Sequence, residues 1–175
     1  MIIDNKVRAS FRADLFCTFA AYFTIMHKLL FICHGNICRS PMAEFVMKHI
    51  VEEHGLSDQF EIASAATSTE EIGNPVYPPA RRKLAEHGIC CDGKTARQMT
   101  RADYRHYDHI IAMDHNNLRN LKRLIGEDID GKISLLMDYT DRPGDVADPW
   151  YTGNFEATWQ DVWEGCNALL KLLSY

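Results

Sequence analysis

One eight-residue segment holds the side chains of this chain that are best placed for nucleophilic chemistry. It reads Cys33-His34-Gly35-Asn36-Ile37-Cys38-Arg39-Ser40. A cysteine thiolate is a strong nucleophile, and the planar guanidinium of an arginine can bind two oxygens of one phosphoryl group. Arg39 follows Cys33 at a spacing that lets the backbone wrap around such a group. We therefore predict that residues 33–40 form a phosphate-binding loop in which Cys33 is the nucleophile and Arg39 binds oxygen.

The residues on either side of this loop predict how it is positioned. The apolar run Leu29 to Cys33 is typical of a buried parallel strand, and Ser40-Pro41 predicts a helix with Ser40 as its N-cap. The start of a helix offers unpaired N–H groups and a partial positive charge, which favour an anion and ease the loss of the Cys33 proton. Gly35 permits close backbone approach, and Asn36 tolerates left-handed geometry.

Strands alternate with helices along the rest of the chain. Further strands are predicted over 60–66, 109–113 and 133–137. The helix that starts at Ser40 should end at Gly55, and other helices are predicted over 80–87, 118–124 and 155–173. This alternation predicts a three-layer α/β fold, a parallel sheet with helices on both faces. Ligands of such sheets bind beyond the carboxyl ends of the strands, where Cys33 stands.

A second segment supplies carboxylates and aromatic rings. A phosphate ester needs a proton on its leaving oxygen, so a carboxylic acid should face the loop. The candidates are Asp138, Asp141, Asp145 and Asp148. Pro149 keeps the backbone of Asp148 extended. Trp150 and Tyr151 follow at once, and two adjacent large rings between glycines suggest a recognition surface.

The chain resembles the low-molecular-weight protein-tyrosine phosphatases. The resemblance lies in CHGNICRSPMAE at 33–44, SAATS at 64–68, ARQ at 96–98, MD at 113–114 and DPW at 148–150. It implies a four-stranded parallel sheet and activity on phosphotyrosine proteins, with no metal and no organic cofactor. It also implies inhibition by phosphate-like oxyanions.

The resemblance also implies roles for particular residues. Cys33 would attack phosphorus, Arg39 would bind the phosphoryl oxygens, and Asp148 would act first as acid and then as base. Ser40 would donate to the Cys33 thiolate, while Asn36, braced by Ser64, would hold the shape of the loop. Trp150 and Tyr151 would wall the substrate pocket, and Cys38 would form a reversible disulfide with Cys33.

Three residues depart from the family pattern. His34 replaces an aliphatic residue, and Glu70 stands where an aromatic residue is common on the opposite wall, for which Tyr77 could compensate. Lys94 replaces a frequent histidine. We expect none of the three to touch the catalytic set, and we expect His34 and Glu70 to affect substrate preference.

Composition narrows the functional class. The net charge of -5 argues against a general nucleic-acid binder, and 175 residues suit one domain. Six cysteines with no paired metal-type spacing indicate free thiols in a reducing cytoplasm. We expect a monomer that can self-associate weakly, and we expect no metal site.

The first residues are expected to stand apart from the fold. The apolar run 15–26 is too short to cross a membrane, and Lys28 interrupts its continuation. We interpret residues 1–25 as a non-native or poorly packed extension and residues 26–175 as the phosphatase domain.

Three alternatives are weighed against this hypothesis. An arsenate reductase on the same fold needs further cysteines, for which Cys90 and Cys91 are candidates. A protein-arginine phosphatase favours a small polar residue after the nucleophile, so His34 argues against it. A non-catalytic phosphate-binding or redox-sensing module would not need Arg39 and Asp148.

Overall fold

Four parallel strands form one sheet in the computed structural model, which describes residues 26–174. The strand order is β2-β1-β3-β4, and each neighbouring pair is parallel. The strands are β1 (His27–Cys33), β2 (Phe60–Ala66), β3 (His109–Ala112) and β4 (Ile133–Leu135). The predicted α/β fold class is confirmed.

Helices connect these strands, and a helix is the last element of the described residues. They are α1 (Arg39–Glu53), α2 (Pro78–Glu86), α3 (Arg101–His106), α4 (His115–Ile125), α5 (Pro149–Thr152) and α6 (Phe155–Leu173). Short 3-10 turns at Ser57–Gln59 and Leu136–Tyr139 complete the described elements. No helix in this part of the chain is both long and apolar enough to span a membrane.

The central strand β1 is buried on both faces, which explains its continuous apolar sequence. Leu29 and Phe31 point into a core shared with α1, α2 and α6. Leu30 and Ile32 point into a second core, to which α4 contributes Leu121. The sheet is therefore the middle of three layers, as the alternation of strands and helices predicted.

Several element boundaries differ from the prediction. The short helices α3 and α5 were not predicted, because six and four residues carry too little apolar periodicity. Helix α4 begins at His115 because the Asp114 side chain caps it, accepting from Asn117 N at 2.6 Å. The predicted extension 1–25 lies outside the described residues.

The strand order places a crevice beside β1. The chain adds β2 on one side of β1 and β3 on the other, so the loops after β1 and β3 leave the sheet next to each other. Parallel α/β sheets bind ligands at such a reversal of strand order. The predicted phosphate loop and the segment that begins at Met113 meet there.

Candidate active site

The loop from Cys33 to Ser40 curls tightly around the sulfur of Cys33. The backbone N–H of Asn36 donates to Cys33 Sγ at 3.2 Å. Asn36 takes a left-handed conformation with φ 57, as its residue type predicted. Cys33 is buried at the end of β1, and the amides of the first turn of α1 follow directly.

Ser40 does not cap α1, and the prediction that it does is wrong. The helix begins at Arg39, and Cys38, two residues before Ser40, occupies the N-cap position without a capping side-chain hydrogen bond. The Ser40 hydroxyl is engaged elsewhere: Oγ lies 3.1 Å from Cys33 Sγ and accepts from Asn36 Nδ2 at 2.8 Å. The first amides of α1 therefore have no side-chain cap competing with an anion.

The guanidinium of Arg39 lies between two carboxylates. Its Nη1 donates to Asp114 Oδ2 at 2.6 Å, and its Nη2 donates to Asp148 Oδ2 at 2.7 Å. Nη1 also donates to the carbonyl of Val146. Burial acts to lower the pKa of Arg39, but Cys33, Asp148 and Asp114 outweigh burial and raise it. Arg39 thus stays charged although its side chain is only 3% exposed.

Sequence reasoning missed Asp114 as a site residue. It was noted within the MD pair at 113–114, without a role. Its signal was position: it stands at the carboxyl end of β3, beside the strand that carries Cys33. The same side chain fixes Arg39 and caps α4.

A buried chain of hydrogen bonds braces the loop from behind. The two amide protons of Asn36 go to Ser40 Oγ and Ser64 Oγ, both at 2.8 Å, and its Oδ1 accepts from Arg97 N at 3.2 Å. Ser64 in turn donates to Glu44 Oε2 at 2.6 Å. The structure brings together Asn36, Ser40 and Ser64, the residues that the resemblance named as supporting.

Lys94 is linked to this chain, contrary to the expectation that it lies apart from the catalytic set. Its Nζ lies 2.7 Å from Glu44 Oε2 and donates to the carbonyl of Ser64 at 3.1 Å. Glu44 also accepts from Lys48 at 2.6 Å. Burial would raise the pKa of Glu44, but Lys94 and the hydrogen bonds from Lys48, Lys94 and Ser64 outweigh it and lower that pKa.

Asp148 stands at the rim of the site and caps α5. Its Oδ1 accepts from Trp150 N at 3.1 Å, while Oδ2 accepts from Arg39. Trp150 and Tyr151 follow it on α5 and are 57% and 85% exposed. Tyr77 packs behind Trp150 with ring centroids 5.2 Å apart, so it supports this wall and does not replace an aromatic residue opposite it.

These groups line a pocket of about 170 Å³ above Cys33. Its walls are formed by Cys33, His34, Gly35, Ile37, Cys38, Arg39, Glu70, Glu71, Asp148, Trp150 and Tyr151. Every residue predicted for the substrate pocket is among them, and Glu71 is an addition that sequence reasoning missed.

Two contacts shape the wall opposite the aromatic rings. His34 Nε2 lies 3.0 Å from Glu70 Oε2, so the two departures from the family pattern contact each other. A Cβ on Gly35 would lie 3.1 Å from Glu71 Cγ. The φ of Gly35 is not in the left-handed region, so the role of this glycine is to leave room for the Glu71 side chain.

Cys38 lies in the same loop as a buried thiol. Burial is the main cause that raises its pKa to about 12, and the proximity of Cys33 adds to it. Cys38 therefore stays protonated at neutral pH. Among residues 26–174, no group of three or more His, Cys, Asp or Glu side chains is placed to hold a metal ion.

Sequence comparison places the chain among known phosphatases. Residues 28–175 match the family model described as "Low molecular weight phosphotyrosine protein phosphatase". The low molecular weight protein-tyrosine-phosphatase YfkJ of Bacillus subtilis is 40% identical over 147 residues, which cover 83% of this chain and 94% of that protein.

Solved structures agree with the sequence match. The crystal structure of YfkJ superimposes with a TM-score of 0.82 at 39% identity, covering 85% of this chain and 95% of that chain. The enzyme SP-PTP of Streptococcus pyogenes gives 0.77 at 46% identity, covering 85% and 93%. The drosophila arginine phosphatase DARP gives 0.77 at 29% identity, covering 85% and 98%. The chain therefore belongs to the low molecular weight phosphotyrosine protein phosphatase family.

Proposed function

We propose that this chain hydrolyses phosphotyrosine in proteins, and aryl phosphates in general, through a covalent intermediate on Cys33. The Cys33 thiolate attacks phosphorus, an S–P bond forms, and the P–O bond to the leaving oxygen breaks. Asp148 gives its proton to that oxygen. A water then attacks the phosphorus of the intermediate, Asp148 takes the water's proton, and the S–P bond breaks to restore the thiolate and release phosphate.

The observation that carries this proposal is the position of Arg39 between the loop and Asp148. One guanidinium joins the turn that cradles the sulfur to a carboxylate 109 residues further along the chain. A phosphoryl group that binds over Cys33 accepts the hydrogen bond from Arg39 Nη2 that Asp148 accepts when no substrate is bound. Asp148 is then free to turn to the leaving oxygen. The hydrogen bond to Asp114 keeps the guanidinium of Arg39 in position.

Two substitutions with a matched control test the assignment. Cys33→Ser should abolish hydrolysis of p-nitrophenyl phosphate. Asp148→Asn should lower kcat by about 100- to 10,000-fold, with a larger loss for phenyl phosphate, whose leaving group needs the proton more. Asp145→Asn removes another carboxylate of the same segment, one that contacts His115 and lies outside the pocket, and should change kcat little.

The results separate the parts of the proposal. Wild-type activity in Cys33→Ser would overturn the mechanism. Equal losses in Asp145→Asn and Asp148→Asn, or the same loss for both leaving groups, would overturn the role of Asp148 as acid. Asp148→Ala should still bind substrate, so a phosphotyrosine peptide should remain associated with it.

The alternatives are tested with the same protein. The exposed rings of Trp150 and Tyr151 favour an aromatic substrate, so phosphotyrosine peptides should be hydrolysed faster than phosphoarginine peptides. Neither Cys90 nor Cys91 lines the pocket, which argues against a thiol relay from Cys33 to these two cysteines. Reduction of arsenate coupled to thioredoxin would contradict this.

Further properties belong to the same proposal. Phosphate and similar oxyanions should inhibit by binding the loop, and Cys38 is the candidate partner for a reversible disulfide with Cys33. We place the enzyme in the cytoplasm as a monomer, where its thiols stay reduced. Cys33, Cys38, Cys90, Cys91 and Cys166 are free.

A further inference from the structure

A second groove lies next to the catalytic pocket and shares one of its walls. It is open to solvent and has a volume of about 340 Å³. Its lining residues are His34, Thr67, Ser68, Asn120, Arg123 and Leu124. His34 lines both spaces, so a group in this groove lies within a residue or two of a phosphotyrosine bound over Cys33.

The fold holds the two sides of the groove in fixed positions. On one side, Thr67 N donates to the carbonyl of Cys33 at 2.9 Å and Ser68 N donates to the carbonyl of His34 at 3.0 Å. The segment after β2 is thereby tied to the phosphate loop. The other side is the last turns of α4, which carry Asn120 and Arg123.

The charges of the two spaces differ. Glu70, Glu71 and Asp148 line the catalytic pocket, whereas no acidic residue lines the groove. Within residues 26–174, Arg123 forms no ion pair, although the adjacent Lys122 pairs with Glu127 at 2.8 Å. The Arg123 guanidinium donates to Asn120 Oδ1 at 3.2 Å, which holds it along the groove. Its other N–H groups remain available for an anion.

A further polar group of the groove lacks a partner. The hydroxyl of Thr67 is buried and, within residues 26–174, has no hydrogen-bond partner, while Thr67 as a whole is 8% exposed. A buried hydroxyl without a partner is costly, and an acceptor in the groove relieves that cost once the Thr67 side chain has rotated toward it. A cation and hydroxyl donors together suit a carboxylate.

We propose that this groove binds an acidic side chain, Asp or Glu, that flanks the phosphotyrosine of a protein substrate. The inference rests on the proposed function and adds a preference among substrates to it. Arg123 supplies the charge, and Ser68 and Thr67 supply hydroxyl donors. Because Arg123 is exposed, the expected preference is modest, about two- to fivefold in kcat/KM at low ionic strength.

Matched phosphotyrosine peptides test this proposal. Peptides carrying Glu at the positions next to phosphotyrosine are compared with peptides carrying Gln at the same positions, and the ratio of kcat/KM is measured for each enzyme. The wild-type ratio should favour Glu. Arg123→Gln should bring the ratio to about one, and Arg123→Glu should invert it.

Arg119→Gln is the control for general charge effects. It changes the net charge by the same amount on the same helix, but Arg119 lies outside the groove, with its side chain on Asn116. The wild-type ratio should persist in this variant. Equal loss of the ratio in Arg119→Gln and Arg123→Gln would overturn the groove as a site.

The two proposals fail in different ways. Absence of Glu preference in a wild-type enzyme that hydrolyses phosphotyrosine peptides would overturn the groove alone. Failure to hydrolyse phosphotyrosine at all would overturn the proposed function. Loss of the wild-type preference at high salt would support the groove, since an exposed ion pair is screened.

Discussion

The hydroxyl oxygen of Ser40 lies 3.1 Å from the sulfur of Cys33, and either atom can be the donor while Cys33 carries its proton. Asn36 Nδ2 donates to Ser40 Oγ, and Ser40 has one proton to give. Its other acceptor, the carbonyl of Ala65, is further away at 3.4 Å. A Cys33 thiolate has no proton to give, so in that state the Ser40 proton points to the nearer sulfur and stabilises its negative charge.

Replacing Ser40 by Ala should slow the enzyme without unfolding it. A hydrogen bond to a charged group contributes about 1.5–3 kcal/mol, so kcat should fall about ten- to a hundredfold. Ser134→Ala removes a hydroxyl that contacts Tyr139, away from the pocket, and should leave kcat near wild type. Wild-type kcat in Ser40→Ala would exclude this role of the hydroxyl.

Asp114 offers a second test, since its two roles can be separated. Asn at this position can still cap α4 but carries no charge for Arg39. Asp114→Asn should therefore keep more of the free energy of unfolding than Asp114→Ala does, while kcat/KM falls about tenfold or more. Asp114→Ala should lose both stability and activity. Urea unfolding and kinetics with p-nitrophenyl phosphate measure the two effects. Full activity in Asp114→Asn would show that Asp148 alone positions Arg39.

The residues that sequence could reveal are those whose chemistry lies in a local pattern. Cys33, Arg39 and the left-handed Asn36 belong to one loop, and the strand before it and the helix after it follow from periodicity. Asp114 reaches Arg39 across 75 residues of chain, and only the strand order brings them together.

The contacts of Lys94 also could not be predicted from the sequence, because its partners are far away along the chain. A lysine in a loop is usually solvated, and nothing nearby in sequence marks it as the partner of Glu44 on α1. The prediction for Ser40 was wrong for a different reason. A serine is a suitable N-cap, but the hydroxyl of Ser40 contacts Asn36 and Cys33 and is not available to cap α1. Local preference is then overridden by a tertiary contact.

The buried pair of Glu44 and Lys94 predicts how stability depends on pH. The pKa of Glu44 is lowered in the folded chain from its ordinary value of 4.5. A lowered folded pKa stabilises the protein above the ordinary value, and that stabilisation is lost as the pH falls through the folded pKa. The free energy of unfolding, measured in urea, should therefore decrease below about pH 4.5.

Glu44→Gln should reduce this pH dependence, to which Asp103 and Asp128 also contribute through their lowered pKa values, and it should weaken the protein at neutral pH. It leaves the Lys94 charge, whose side chain is 12% exposed, without its carboxylate, a loss of about 3–5 kcal/mol for a buried pair. Glu52→Gln on the same helix changes an exposed carboxylate and should cost little. If both variants lost the same stability, or if Glu44→Gln kept the acid dependence of wild type, the pair would not have this role.

Gly165 in α6 gives the last prediction, because Leu136 packs directly against its Cα. A Cβ built on Gly165 would lie 2.5 Å from Leu136 Cγ and 2.9 Å from Leu136 Cδ1. Replacement of glycine by alanine in a helix normally stabilises by about 0.5–1 kcal/mol, but here the side chains must move apart. Gly165→Ala should therefore destabilise by about 1–3 kcal/mol, measured by urea unfolding.

Leu136→Ala alone should destabilise by about 2–5 kcal/mol, because it leaves a cavity. The double variant should lose less than the sum of the two single losses, since the new methyl occupies space that Leu136 has left. Additive losses would mean that α6 shifts to accommodate the methyl group and that the close contact does not fix its position.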